Sequence, residues 1–150
     1  MEKKEKKVLV ALDDSKSSKA VIEFIIQMPL CPEEWHIFLL HIFRKSSASE
    51  ELMGRKFTAE QPERMHEMLR HAKKILIQNG FREEKVDIQS AEHEYPTVTD
   101  GILDQHKKQH YDMVVIGRKR MSKAEEFVMG DISIKLIRLL QGTAVLVVTS

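Results

Sequence analysis

Two uninterrupted apolar runs, Val8-Leu9-Val10-Ala11-Leu12 and Met113-Val114-Val115-Ile116, constrain the fold more than any other feature of this chain. A strand with one face in water alternates polar and apolar residues. A run with no polar member has to be covered on both faces. The covering layers are written between the runs. After Asp13-Asp14-Ser15, which offers capping oxygens, Ala20, Val21, Phe24, Ile25 and Met28 recur at helical spacing and predict a helix over about 16–28, ended by Pro29. Trp35–Ile42 reads as a second strand. Met65, Met68, Leu69, Ala72, Ile75 and Leu76 form the stripe of a long helix that stops at Asn79-Gly80. Val86-Asp87-Ile88-Gln89 alternates, as an edge strand does. Pro96 starts a third helix with Val98, Ile102 and Leu103 on its core side. A last helix covers about 131–140, and Thr143–Val148 closes the chain as a fifth strand.

Strands that alternate with helices imply parallel pairing, right-handed crossovers and helices on both faces of the sheet, an α/β doubly wound fold. Residues 1–150 form a single domain, with no internal repeat, and the polar stretch 44–57 reads as an insertion within it. Two capping boxes are expected, at Thr58-Ala59-Glu60-Gln61 and at Ser122-Lys123-Ala124-Glu125, the second marking a helical turn inside a loop.

Composition excludes several classes of function. The runs Phe38–Ile42 and Met113–Ile116 are far too short to cross a bilayer. Glu2-Lys3-Lys4-Glu5-Lys6-Lys7 leads into a strand too short for the apolar part of a secretion signal. With 24 basic and 23 acidic residues the net charge is +1, so no global attraction to nucleic acid or to an anionic membrane is expected. The single cysteine, Cys31, stands between Leu30 and Pro32 without a metal-ligand partner at useful spacing; it is expected to be a buried or half-buried apolar residue in a reducing, cytoplasmic setting.

In an open doubly wound sheet, ligands sit beyond the carboxyl ends of the strands, where strand order reverses. The first and fourth strands flank that point, which places Asp13, Ile42 and Gly117 near one crevice, with His41 beside them.

The residues at this place also carry a resemblance. Val8-Leu9-Val10-Ala11-Leu12-Asp13-Asp14-Ser15, Leu39-Leu40-His41-Ile42, Val114-Val115-Ile116-Gly117, then Gly130 and Ala144-Val145-Leu146-Val147-Val148, in this order and spacing, resemble the universal stress protein family from about Lys7 to Ser150. The resemblance implies a three-layer, five-stranded parallel sheet of order 3-2-1-4-5 with four flanking helices, the adenine nucleotide alpha hydrolase-like architecture. It also implies a homodimer through the last strand, with Val145, Leu146, Val147 and Val148 at the interface. An unpaired apolar edge there is a liability that a second copy would cover.

Nucleotide-binding members of that family carry a phosphate motif after the fourth strand: glycine, two residues, glycine, nine residues, glycine, then Ser or Thr. Gly117 and Gly130 match; Arg120 stands at the second glycine and Asp131 at the hydroxyl position. Glycines let backbone N–H groups approach phosphate, and a carboxylate at Asp131 would repel it by roughly 4 kcal/mol at about 4 Å, before screening. Arg118, Lys119, Arg120 and Lys123 could offset that repulsion.

Each candidate has a plainer reading beside it. Asp13 resembles the acid that contacts the nucleoside, or it shares a helix cap with Asp14 and Ser15. Gly117 and Gly130 belong to a phosphate loop, or to turns that need them for packing. The basic loop binds phosphate, or is a solvated surface. His106 and His110 are spaced for a metal pair, but their surroundings favour capping of a helix C-terminus; His66 and His71 do not share a face. No nucleophile–base constellation, phosphate-binding lysine loop or zinc motif is present, so no catalytic residue and no metal site are expected.

Two functions follow. The first is a stress-response regulatory or interaction protein, binding ATP weakly or not at all and acting through a protein partner. The second is a nucleotide switch, or slow ATPase, that takes ATP with magnesium at a site built from Asp13, Ile42, Gly117, Arg118, Arg120 and Gly130.

Overall fold

A computed structural model describes residues 5–28, 31–45, 61–91, 93–120, 122–124 and 132–150. The elements run β1 (Lys6–Ala11), α1 (Lys16–Gln27), β2 (Trp35–Leu40), α2 (Pro62–Gln78), a 3₁₀ turn (Glu83–Lys85), β3 (Val86–Gln89), α3 (Val98–Lys108), β4 (Met113–Arg118), α4 (Ile132–Leu139) and β5 (Ala144–Thr149). The strands form one parallel sheet of order β3-β2-β1-β4-β5. The expected architecture and strand order are those observed.

Each apolar run splits between two cores by the two-residue period of a strand. Val8, Val10, Ile37, Leu39 and Val115 pack under α1 and α2, against Val21, Ile25, Leu69 and Leu76. Leu9, Phe38, Leu40, Val114 and Ile116 pack on the other face against Ile102, Tyr111, Leu136 and Leu140. At the amino ends of the first three strands, His36 bridges Glu5 (2.7 Å) and Asp87 (2.5 Å), and Lys85 reaches Glu5 at 2.6 Å.

Several local expectations are corrected. α3 begins at Val98, two residues after Pro96, because Thr97 is the better cap: its Oγ1 accepts the Asp100 N–H at 3.1 Å and donates to Asp100 Oδ2 at 2.7 Å. α2 begins at Pro62, with Gln61 at the cap position and no side-chain capping bond. A helix started from Thr58 would place Pro62 where a backbone N–H is first required; Thr58 itself lies outside the described residues. Cys31 is exposed. It opens the turn into β2, its carbonyl accepting from the Glu34 and Trp35 N–H groups, and that turn carries the side chain outward. In the basic loop Lys123 and Ala124 are helical, while Glu125 lies outside the described residues.

Candidate functional site

The crevice expected at the reversal of strand order exists. It is a cleft of about 110 Å³ beyond the ends of β1 and β4, lined by Asp13, Ser15, Ser18, His41, Ile42 and Gly117, with Val98 of α3 and Ile132 of α4 on its far wall. Asp13, Ile42 and Gly117 are thus brought together, as their positions predict.

Asp13 holds the turn out of β1. Its Oδ1 accepts the Ser15 N–H at 2.8 Å and the Ser18 hydroxyl at 2.9 Å, and its own N–H donates to Ser18 Oγ at 2.8 Å. This is an aspartate turn rather than a helix cap; the cap position is Ser15, which makes no side-chain capping bond. Desolvation at the crevice pushes the Asp13 carboxyl up, but the hydrogen bonds from Ser15 and Ser18 and the nearby His41 outweigh it and hold the group below its ordinary range. Asp14 turns away and pairs with Arg64 of α2 at 2.8 Å.

His41, buried, donates from Nδ1 to the Leu12 carbonyl at 2.7 Å and so ties the end of β2 to the turn after β1. Ile42 lies two residues beyond β2 and is almost fully buried. Gly101 of α3 makes room for it: a Cβ on that glycine would stand 2.6 Å from both Cδ1 and Cγ2 of Ile42.

Gly117 is a close-packing position. A Cβ there would lie 2.8 Å from the Ser17 carbonyl oxygen at the start of α1. The pairing of β4 continues past its last residue: the Ser150 N–H donates to the Arg118 carbonyl at 3.0 Å, and the Arg120 N–H to the Ser150 carbonyl at 3.3 Å. Ser17 and Ser150 also share a hydroxyl contact of 3.0 Å. Arg118 and Arg120 do not line the crevice; Arg118 is half-buried, and Arg120 is exposed with Lys119 and Lys123. Gly130 and Asp131 lie outside the described residues.

A larger groove, of about 320 Å³, opens on the opposite face between α1 and α2. It shares Asp13, Ser15 and Ser18 with the crevice, and its walls are Leu12, Ile22, Met68 and Ile75. His71 lines this groove. The capping reading of His106 is corrected. Its Nδ1 accepts the Tyr111 N–H at 3.3 Å, so the ring braces the turn after α3 instead of donating to the last helical carbonyls. Burial, and then His110 nearby, hold its pKa below the usual histidine value. Among the described residues no cluster of His, Cys, Asp or Glu is arranged to hold a metal ion, and no helix is long and apolar enough to cross a membrane.

Sequence reasoning missed Ser17, Ser18 and Arg64. The serines fall in the first turn of α1, where polar residues look solvent-facing, and no local pattern shows that Ser18 reaches back to Asp13. Arg64 meets Asp14 only through the packing of α2 on α1.

Solved structures with this fold cover nearly the whole chain. A universal stress protein in complex with cAMP matches with a TM-score of 0.65 at 16% identity, covering 95% of this chain and 96% of its own. Universal stress protein UspA from Lactobacillus plantarum gives 0.67 at 11%, covering 97% and 98%. The universal stress protein from Archaeoglobus fulgidus in complex with dAMP gives 0.59 at 14%, covering 95% and 96%. No curated protein sequence matches the chain. The sequence model of the universal stress protein family matches residues 5–148, and the chain belongs to that family.

Proposed function

We propose that this chain is a stress-response regulatory protein that keeps the family's crevice but has lost its grip on nucleotide phosphate, and that it acts as a homodimer, paired through β5, on a protein partner. The observation that carries this reading is the fate of the Arg120 N–H. It stands at the second glycine of the phosphate motif, and it is donated to the Ser150 carbonyl. A backbone donor used in this way is not offered to an anion.

Three further features agree. The crevice, at about 110 Å³, is well below the roughly 300 Å³ at which ligand pockets begin. Asp13 Oδ1 already accepts two hydrogen bonds from its own turn. In sequence, Asp131 immediately precedes α4, where it opposes a phosphate by charge.

A second reading has its own support. Two structures with this fold are complexes with cAMP and dAMP, and Arg118, Lys119, Arg120 and Lys123 follow directly on β4. A nucleotide held by cationic side chains instead of a glycine cradle would make the chain a switch, with slow ATP hydrolysis as an extension of it.

Titration calorimetry with ATP, with and without magnesium, on protein freed of co-purified nucleotide separates the two. The first reading expects no heat of binding at millimolar ATP. Micromolar affinity overturns it in favour of the second.

A further inference from the structure

His36, the second residue of β2, has a carboxylate at each ring nitrogen. Nδ1 stands 2.7 Å from Glu5 Oε1, just before β1, and Nε2 stands 2.5 Å from Asp87 Oδ2 on β3. The other oxygen of Glu5 accepts from Lys85 Nζ, in the 3₁₀ turn, at 2.6 Å. One ring therefore joins the start of β1, β2 itself and the edge strand β3. Its side chain is only 18% exposed. It stacks on Phe38, with ring centroids 4.4 Å apart and planes 12° from parallel.

The chemistry of this arrangement is restrictive. An ionised carboxylate only accepts hydrogen bonds, and a neutral imidazole carries one donor and one acceptor. Two carboxylates are both bonded only while the ring carries both of its protons. The hydrogen bond from Lys85 outweighs desolvation and, with His36, holds the Glu5 carboxyl below its ordinary range. Glu5 is therefore an acceptor across the neutral range. Histidine is the side chain whose charge changes between about pH 5 and about pH 8. Among the described residues, the other charged or titratable neighbours are Lys7, in register with His36 on β1, Asp112, whose Oδ2 accepts the Lys7 N–H at 2.8 Å, and Glu34, two residues before His36. From the α3 side comes Tyr111, edge-on to Phe38, whose hydroxyl burial pushes up and away from this range.

We propose that His36 is a proton-operated clasp on the edge strand. With two protons the ring holds Glu5 and Asp87 together; on losing one it keeps Glu5 and releases Asp87. Exposure decides which partner goes. The Asp87 side chain is 54% exposed against 38% for Glu5, and Glu5 is also held by Lys85. Water takes over at Asp87, whose carboxylate would otherwise face a bare nitrogen lone pair. β3 is the strand affected, because it has four residues and pairs on one side only, with β2. The clasp makes this corner of the sheet pH-dependent, tight when the ring is charged and loose when it is neutral.

The test is amide hydrogen exchange on the full chain between about pH 5.5 and about pH 8.5, expressed as protection factors so that the intrinsic pH dependence of exchange is removed. The nitrogen-15 shifts of the His36 ring are followed in the same samples. The wild type is compared with His36→Phe, which keeps the stacked ring but neither donates nor titrates, and with Asp87→Asn, each checked for native secondary structure by circular dichroism. In the wild type, protection of Val86–Gln89 should fall about fivefold as pH rises, with the same midpoint as the ring's loss of its proton. His36→Phe should show the lower protection at every pH. Asp87→Asn should flatten the step, because an amide accepts from the charged ring and donates to the neutral one. Protection in the wild type that ignores the ring's titration overturns the clasp, as does a step that persists in His36→Phe. If His36→Phe does not fold, Asp87→Asn decides alone, and an undiminished step there overturns the proposal. A ring found unprotonated at Nε2 at the acid end of the range, while Asp87 stays bonded, puts the proton on Asp87 and overturns it too.

Discussion

Gly117, at the end of β4, and Ser17, in the first turn of α1, are in backbone contact: a Cβ at 117 would sit 2.8 Å from the Ser17 carbonyl oxygen and 3.1 Å from the Ser17 Cβ. The packing reading of this glycine therefore has a definite partner. Gly117→Ala is expected to destabilise the fold by about 1–3 kcal/mol, the cost of overpacking a tight contact, measured as a lower urea midpoint. Unchanged stability would return the glycine to the phosphate-loop reading.

Asp13 contributes through its acceptor oxygen and through its charge, and these can be separated. Asp13→Ala, at an exposed rim, should cost about 1 kcal/mol; Asp13→Asn keeps an acceptor for Ser15 and Ser18 and should cost less. Because the carboxyl is held below its ordinary value in the folded state, its stabilisation is present above the unfolded pKa and is lost as pH falls through the folded one. Urea titrations of the wild type and Asp13→Asn should therefore converge as the pH is lowered through about 4 towards about 2. Parallel curves would mean that the charge contributes nothing.

His106 loses stability in the same direction on acidification, but by the opposite cause, because burial disfavours its charged form. Burial keeps the folded ring neutral to a lower pH than the unfolded one, so acid protonates the unfolded chain first. Stability should fall as pH drops below about 6.5, the unfolded value, toward the depressed folded one. His106→Asn retains an acceptor for the Tyr111 N–H but does not titrate. The loss of thermal stability between about pH 7 and about pH 5 should be shallower in this variant, and an unchanged slope would show that His106 is not responsible.

Arg120→Gly combined with Asp131→Ser restores the family's phosphate motif in sequence. Removing a carboxylate that opposes phosphate should raise ATP affinity at least about tenfold, or 1.4 kcal/mol, by calorimetry. No gain would clear these two residues of blocking the site.

Much of the fold was legible because it is set by short-range patterns. Uninterrupted runs such as Val8–Leu12 and Met113–Ile116 can only be doubly covered strands, and the stripe from Met65 to Leu76 can only be a helix. Ends were less legible wherever two local signals competed. Pro96 and Thr97 both mark a helix start, and the hydroxyl prevailed; the helix that carries the stripe from Met65 to Leu76 starts at Pro62, while Thr58 lies outside the described residues. At the site, the meeting of Asp13, Ile42 and Gly117 followed from topology alone. What topology does not carry is pairing across elements. The contact of Gly117 with Ser17, the seat of Ile42 on Gly101 and the ladder from Arg118 to Ser150 all depend on how closely layers approach, and no residue period encodes that distance.

The unequal edges of the sheet bear on how far assembly can proceed. β3, short and carrying Asp87 in its bridge with His36, is the better protected of the two edges. Were two copies to join through β5, as proposed, both of the less protected ends would be consumed and the better protected β3 edges would be left outside. In the proposed dimer growth would terminate at a closed pair, so a protein with an uncharged border strand could accumulate without seeding fibres.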